Sequence, residues 1–126
     1  VGWRIDPAAF RDELITAYRR YKLPIYVTEN GYGANETLDA SGGVNDGGRI
    51  SYLHAYTKAL EEAVATGTDV QGYYLWSLLD NFEWGSGYAN RFGIVYVDYA
   101  TQRRVPKASF EWFAELSRAQ QQGRHA

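Results

Sequence analysis

Apolar positions recur along the chain with two different periods. Phe10, Leu14, Ala17 or Tyr18, and Tyr21 follow one another at helical spacing, and Asp6-Pro7 stands ahead of them as N-cap and first helical residue, so a helix is predicted from Pro7 until Pro24 ends the region. Pro24-Ile25-Tyr26-Val27-Thr28 is short, apolar and partly β-branched, with no polar alternation. That pattern predicts a strand buried on both faces, as in a parallel sheet. Residues 30–49 are rich in Gly, Asn and Asp and read as a long loop. Leu53, Tyr56 or Thr57, Leu60 and Val64 mark a second helix from about Ile50 to Thr66, with Gly67 as its stop. Val70 to Leu79 reads as a second strand and Gly93 to Val97 as a short extra one. Pro106 opens a last helix carrying Phe110, Phe113, Ala114 and Leu116, and the tail from Gln120 to Ala126 is expected to fray.

Two strands flanking a helix make a parallel βαβ unit. Two strands cannot close a sheet or cover both its faces, so the pattern predicts a part of something larger. Composition narrows the chemistry. The 126 residues contain no cysteine, which excludes disulfides, a thiolate nucleophile and Cys-ligated metal. His54 and His125 are far apart and have no metal-ligand spacing, and Asp39 to Asp46 resembles a calcium loop in composition only. No metal and no cofactor is expected. The formal net charge of −2, with no long basic block, argues against a nucleic-acid partner. No apolar run approaches the ~20 residues of a membrane helix. The first residues lack the basic and apolar regions of a signal peptide, so a cytoplasmic location is expected.

Aromatic residues make up 16% of the chain, and seven of them fall between Tyr73 and Phe92. Tyr73, Tyr74, Leu75 and Leu79 are expected to be core. In parallel α/β architectures ligands bind beyond the carboxyl ends of the strands. The first strand ends Thr28-Glu29-Asn30-Gly31, and the second runs into Trp76-Ser77-Leu78-Leu79-Asp80-Asn81-Phe82-Glu83-Trp84. Carboxylates beside large aromatic faces suit a sugar, whose C–H face stacks while its hydroxyls find acceptors. From pattern alone, Glu29 and Glu83 could be the two carboxylates of a glycosidase. Glu29 could equally be a loop acceptor, and the aromatic cluster could be core. Gly31-Tyr32-Gly33 lacks the third glycine of a dinucleotide fingerprint.

The stretches 24–31 and 72–84, with Gly87-Tyr88, Arg91-Phe92-Gly93, Val97-Asp98-Tyr99 and Pro106-Lys107, closely resemble the C-terminal part of the family 1 glycoside hydrolases, the β-glucosidase and β-galactosidase family. The resemblance implies an α/β chain forming the last two βα units of a (β/α)₈ TIM barrel, with residues 1–126 a C-terminal segment of that single domain and not an independent one. It implies a retaining mechanism on terminal β-linked sugars. Glu29 matches the catalytic nucleophile and Trp76 the platform under the sugar ring. Glu83 matches an acceptor for sugar hydroxyls and not the acid/base, Trp84 a neighbouring hydroxyl-binding residue, and Phe92 a wall of the pocket. The family's Asn-Glu-Pro acid/base motif does not occur here, nor do its early glycone-binding Gln and His or the Tyr that contacts the nucleophile. Tyr56 stands where relatives usually carry His. The expected partners are therefore a β-glycoside substrate and the N-terminal remainder of the barrel, as another chain or segment. The alternatives are a non-catalytic sugar-binding fragment and a truncation or proteolytic remnant.

Overall fold

The computed structural model describes Gly2 and residues 4–123, with side chains described up to residue 120. Trp3, His125 and the last three positions of the expected frayed tail lie outside the described residues. The elements are α1 (Pro7–Tyr21), β1 (Ile25–Asn30), α2 (Gly47–Ala65), β2 (Val70–Leu75), a 3₁₀ turn (Trp84–Ser86), β3 (Val95–Val97), β4 (Arg104–Pro106) and α3 (Ala108–Gly123). The chain forms two compact units, one from residues 1–32 and 51–76, the other from residues 33–50 and 77–126.

In the first unit, the Asp6 carboxylate accepts from the Ala9 N–H and caps α1, with Pro7 at its start. The helix stops at Lys22, which takes a left-handed conformation (φ 54°) while its N–H bonds the Tyr18 carbonyl at 2.8 Å. α2 ends at Ala65, and the chain turns away at Gly67, whose N–H bonds the Val64 carbonyl at 2.8 Å and whose φ of +89° is costly for any residue with a Cβ. Leu14, Leu53, Tyr56, Ala59 and Ala63 form the core. β1 and β2 pair in parallel, Ile25 opposite Val70, Tyr26 opposite Gly72 and Asn30 opposite Leu75, with a register shift between Val27 and Asn30.

The expectation of a strand buried on both faces is corrected here. Ile25 and Val27 are partly covered, but Tyr26 is 57% exposed and Tyr74 58%. Only one face of this two-stranded sheet is covered. Tyr74 and Leu79 are accordingly not core. β2 also stops at Leu75, four residues short of expectation. Beyond it, the Ser77 N–H bonds the Phe92 carbonyl at 3.1 Å and the Asp80 N–H bonds the Val95 carbonyl at 3.1 Å, so this segment's backbone hydrogen bonds go to the second unit's own chain.

The second unit is built on the antiparallel pair β3–β4 and on α3, with Val44, Phe92, Ile94, Val95 and Val97 buried. β4 was not expected. Pro106 closes this strand opposite Val95 instead of opening a helix, a place where a missing N–H is tolerated, and α3 begins at Ala108. α3 continues to Gly123, through positions expected to fray. Asp46 stands before the first turn of α2, three residues earlier than the periodicity indicated, and its carbonyl accepts from Arg49 at 2.9 Å and Ile50 at 3.2 Å.

Candidate functional site

Glu29 lies at the carboxyl end of β1 and is exposed. The next residue, Asn30, accepts the Trp76 N–H on its carbonyl at 2.9 Å, which sets the end of β1 beside the residue that follows β2. The approach is tight. A Cβ on Gly31 would stand 1.7 Å from the Trp76 carbonyl oxygen, so glycine is required there for space. Trp76 is partly exposed. The first unit thus places Glu29 and Trp76 at neighbouring ends of parallel strands.

Asn30 carries more than the backbone bond. Its Nδ2 donates to the Tyr52 hydroxyl at 3.1 Å, and its Oδ1 accepts from the Tyr73 hydroxyl at 2.8 Å. Burial pushes the Tyr73 phenol well above its ordinary range, and burial aided by Tyr56 does the same to Tyr52. Both remain protonated at neutral pH. Tyr52 stacks on Tyr56 with ring centroids 4.2 Å apart, and Tyr56 meets Phe10 at 5.2 Å.

Glu83, Trp84 and Phe92 belong to the second unit. Glu83 is half-buried, its N–H on the Gly87 carbonyl at 2.8 Å and its own carbonyl accepting from Ser86 at 2.7 Å. That tight turn projects Trp84, which is 88% exposed, with φ 21°. Phe92 is 3% exposed, and its ring lies under the loop backbone, where a Cβ on Gly33 would come within 2.5 Å of it.

The stretch from Ser77 to Trp84 is tied down at Asp80 by buried charges. Asp80 is 5% exposed. Its Oδ1 accepts from Lys107 Nζ at 2.9 Å and the Gly93 N–H at 3.0 Å, and its Oδ2 accepts from Arg91 Nη1 at 2.7 Å and the Val97 N–H at 3.2 Å. Lys107 Nζ also reaches Glu36 at 2.6 Å, and Arg49 Nη1 reaches Glu36 at 2.8 Å as well as Asp46. Asp46 in turn accepts from the Ser109 N–H at 2.9 Å and the Ser109 hydroxyl at 2.6 Å, which caps α3 from a distant part of the sequence. Three carboxylates and three cations therefore balance. Among the described residues no buried side-chain nitrogen or oxygen lacks a hydrogen bond. The available signal was Asp80 within an apolar run and Lys107 directly after Pro106. No spacing rule links such positions.

Among the described residues no cluster of His, Asp or Glu is arranged to hold a metal ion, and no helix is long and apolar enough to cross a membrane.

A profile described as glycosyl hydrolase family 1 matches residues 1–122. The chain is 44% identical over 118 residues to a bifunctional β-D-glucosidase/β-D-fucosidase of Bifidobacterium breve, covering 90% of this chain and 26% of that protein. It is 43% identical over 117 residues to β-glucosidase A of Thermotoga maritima, covering 92% and 26%. A solved family 1 β-glucosidase from Thermotoga maritima, in complex with isofagomine lactam, superposes with a TM-score of 0.91 at 42% identity, covering 93% of this chain and 27% of that one. The chain spans about a quarter of the length of these relatives.

Proposed function

The chain belongs to glycosyl hydrolase family 1 and is an α/β portion of its TIM barrel, and on that premise we propose that it supplies the nucleophile and part of the sugar site of a retaining β-glycosidase. The observation that carries this reading is Glu29, exposed at the carboxyl end of a parallel strand and set by the Asn30–Trp76 bond beside an aromatic residue. The Glu29 carboxylate attacks the anomeric carbon, the bond to the leaving oxygen breaks, and a glycosyl-enzyme ester forms. Water then cleaves that ester and releases the sugar with retained configuration. Trp76 offers its face to the C–H surface of the ring, Glu83 accepts hydrogen bonds from sugar hydroxyls, and Trp84 lies against them. Phe92, packed against the loop at Gly33, helps to wall the pocket.

The proton for the leaving group comes from the remainder of the barrel. The Asn-Glu-Pro sequence absent from these 126 residues would reside there. For the chain by itself, that absence favours sugar binding without turnover.

The roles of the two glutamates are separable. In a barrel completed by joining this chain to the rest of a family 1 β-glucosidase, Glu29→Gly abolishes turnover and added azide restores cleavage by taking the nucleophile's place. Glu83→Ala weakens the transition state by about 1.5–3 kcal/mol, the value of a hydrogen bond to a charged group, and azide does not rescue it. Azide rescue at position 83, or wild-type turnover by Glu29→Gly, overturns the assignment.

A further inference from the structure

β1 is irregular where its chemistry lies. The register shift between Val27 and Asn30 takes Thr28 and Glu29 out of the regular ladder with β2, so pairing alone does not fix the direction of the Glu29 side chain. The next residue is anchored on three sides. The Asn30 carbonyl holds the Trp76 N–H at 2.9 Å, and its amide is gripped between the hydroxyls of Tyr52 from α2 (3.1 Å) and Tyr73 from β2 (2.8 Å). The grip is itself braced. Tyr52 stacks on Tyr56 at 4.2 Å and meets the tilted ring of Tyr32 at 5.6 Å, Tyr56 rests on Phe10, and the Tyr56 hydroxyl accepts the Asp6 N–H at 3.0 Å. An asparagine amide held at both ends cannot rotate without breaking a bond, and its backbone is continuous with that of Glu29.

We propose that Tyr52, Asn30 and Tyr73 form a positioning clamp, which fixes the end of the bulged strand and so sets the angle at which Glu29 is presented beside Trp76. The proposal rests on the reading of Glu29 as nucleophile. None of the three residues touches the reacting atoms. Their effect is on orientation, where a displacement of about 1 Å costs on the order of 10²-fold in rate.

The test uses this chain fused to the remaining three quarters of Thermotoga maritima β-glucosidase A. An aryl 2-deoxy-2-fluoro-β-glucoside reports nucleophilic attack directly, because the glycosyl-enzyme accumulates, the released phenol counts active sites and peptide mapping locates the label. The unaltered chain should carry the label on Glu29. Tyr73→Phe and Tyr52→Phe, each lacking one oxygen, and Asn30→Ala should lower the saturating rate of labelling per active site by about 10–100-fold. The half-saturating concentration should move less than threefold. If Asn30→Ala fails to fold, the two hydroxyl deletions carry the test. A merely structural role would lower the melting temperature or the number of active sites and leave the rate per site unchanged; with the label on Glu29, that result overturns the clamp and spares the nucleophile. A label on any other residue overturns the Glu29 reading, and the clamp with it.

Discussion

Trp84 stands outside the packing that builds the fold. With 88% of its surface exposed, its side chain contributes almost nothing to packing, whereas Leu53 at 0% and Phe92 at 3% are held on all sides. Trp84→Ala should change stability by no more than about 0.5 kcal/mol, as for other surface positions, while a completed enzyme loses affinity for its sugar. Thermal melting and inhibitor titration of one preparation give both quantities. A large fall in melting temperature would make Trp84 structural. The phenols of Tyr52 and Tyr73 allow a second residue-scale prediction. Both are shifted upward from an ordinary value near 10.0, so the folded state favours the neutral form. Their stabilising contribution is complete below pH 10 and is lost as pH rises through the folded values. The completed barrel should lose stability above about pH 10 more steeply than its Tyr52→Phe/Tyr73→Phe variant. Parallel alkaline limbs in melting experiments would exclude the two phenols as the cause.

At the scale of elements, the second unit is tied together by a buried charge network beside its apolar core. Asp46 caps α3 through Ser109 and at the same time neutralises Arg49, which is fully buried. Asp46→Ala removes the cap and leaves three buried cations facing two carboxylates, with Arg49 held by Glu36 alone among the acids, so a loss of about 3–5 kcal/mol is expected, against about 1 kcal/mol for Ser109→Ala, which keeps every charge paired. Denaturant midpoints of the two variants decide the matter, and equal small losses would show that Arg49 finds water instead. The same elements show what a sequence carries. The Asp6 cap, the parallel pairing of β1 with β2, the stop at Gly67 and the placing of Glu29 at a strand end were all readable, because each depends on a local period or on neighbours within a turn. β4, the early end of β2 and the six-charge network were not. They depend on pairings between positions as far apart as Glu36 and Lys107, which hydrophobic patterning does not encode. Tyr56 illustrates the middle case. Its departure from the usual His was visible, but its place in the stack under Tyr52 was visible only in three dimensions.

For the whole molecule, the faces left uncovered matter most. In the first unit Tyr26 and Tyr74 are more than half exposed on the same two-stranded sheet, and in the second Leu78, Phe82 and Tyr88 are as open. Apolar surface of this kind drives association when nothing covers it, and a parallel edge invites further strands. The 126 residues expressed alone should therefore self-associate or recover poorly as a monomer, which gel filtration reads directly. They should also leave an aryl β-glucoside intact. Assistance to the leaving group, worth about 10²–10⁴-fold, has no Asn-Glu-Pro donor in this chain, and neither of its two-stranded sheets closes into a barrel around a water-free pocket. Adding the remaining barrel of a family 1 β-glucosidase should restore hydrolysis at a one-to-one ratio and bring both polypeptides into a single eluting species. Restoration should fail with Glu29→Gln in this chain and with the Asn-Glu-Pro glutamate replaced in the other, since the assembled barrel then lacks one of the two carboxylates that retention requires. A monodisperse 126-residue monomer that hydrolyses the glycoside unaided, and loses the activity on Glu29→Gln, would show that the chain supplies its own acid and needs no other part of the barrel.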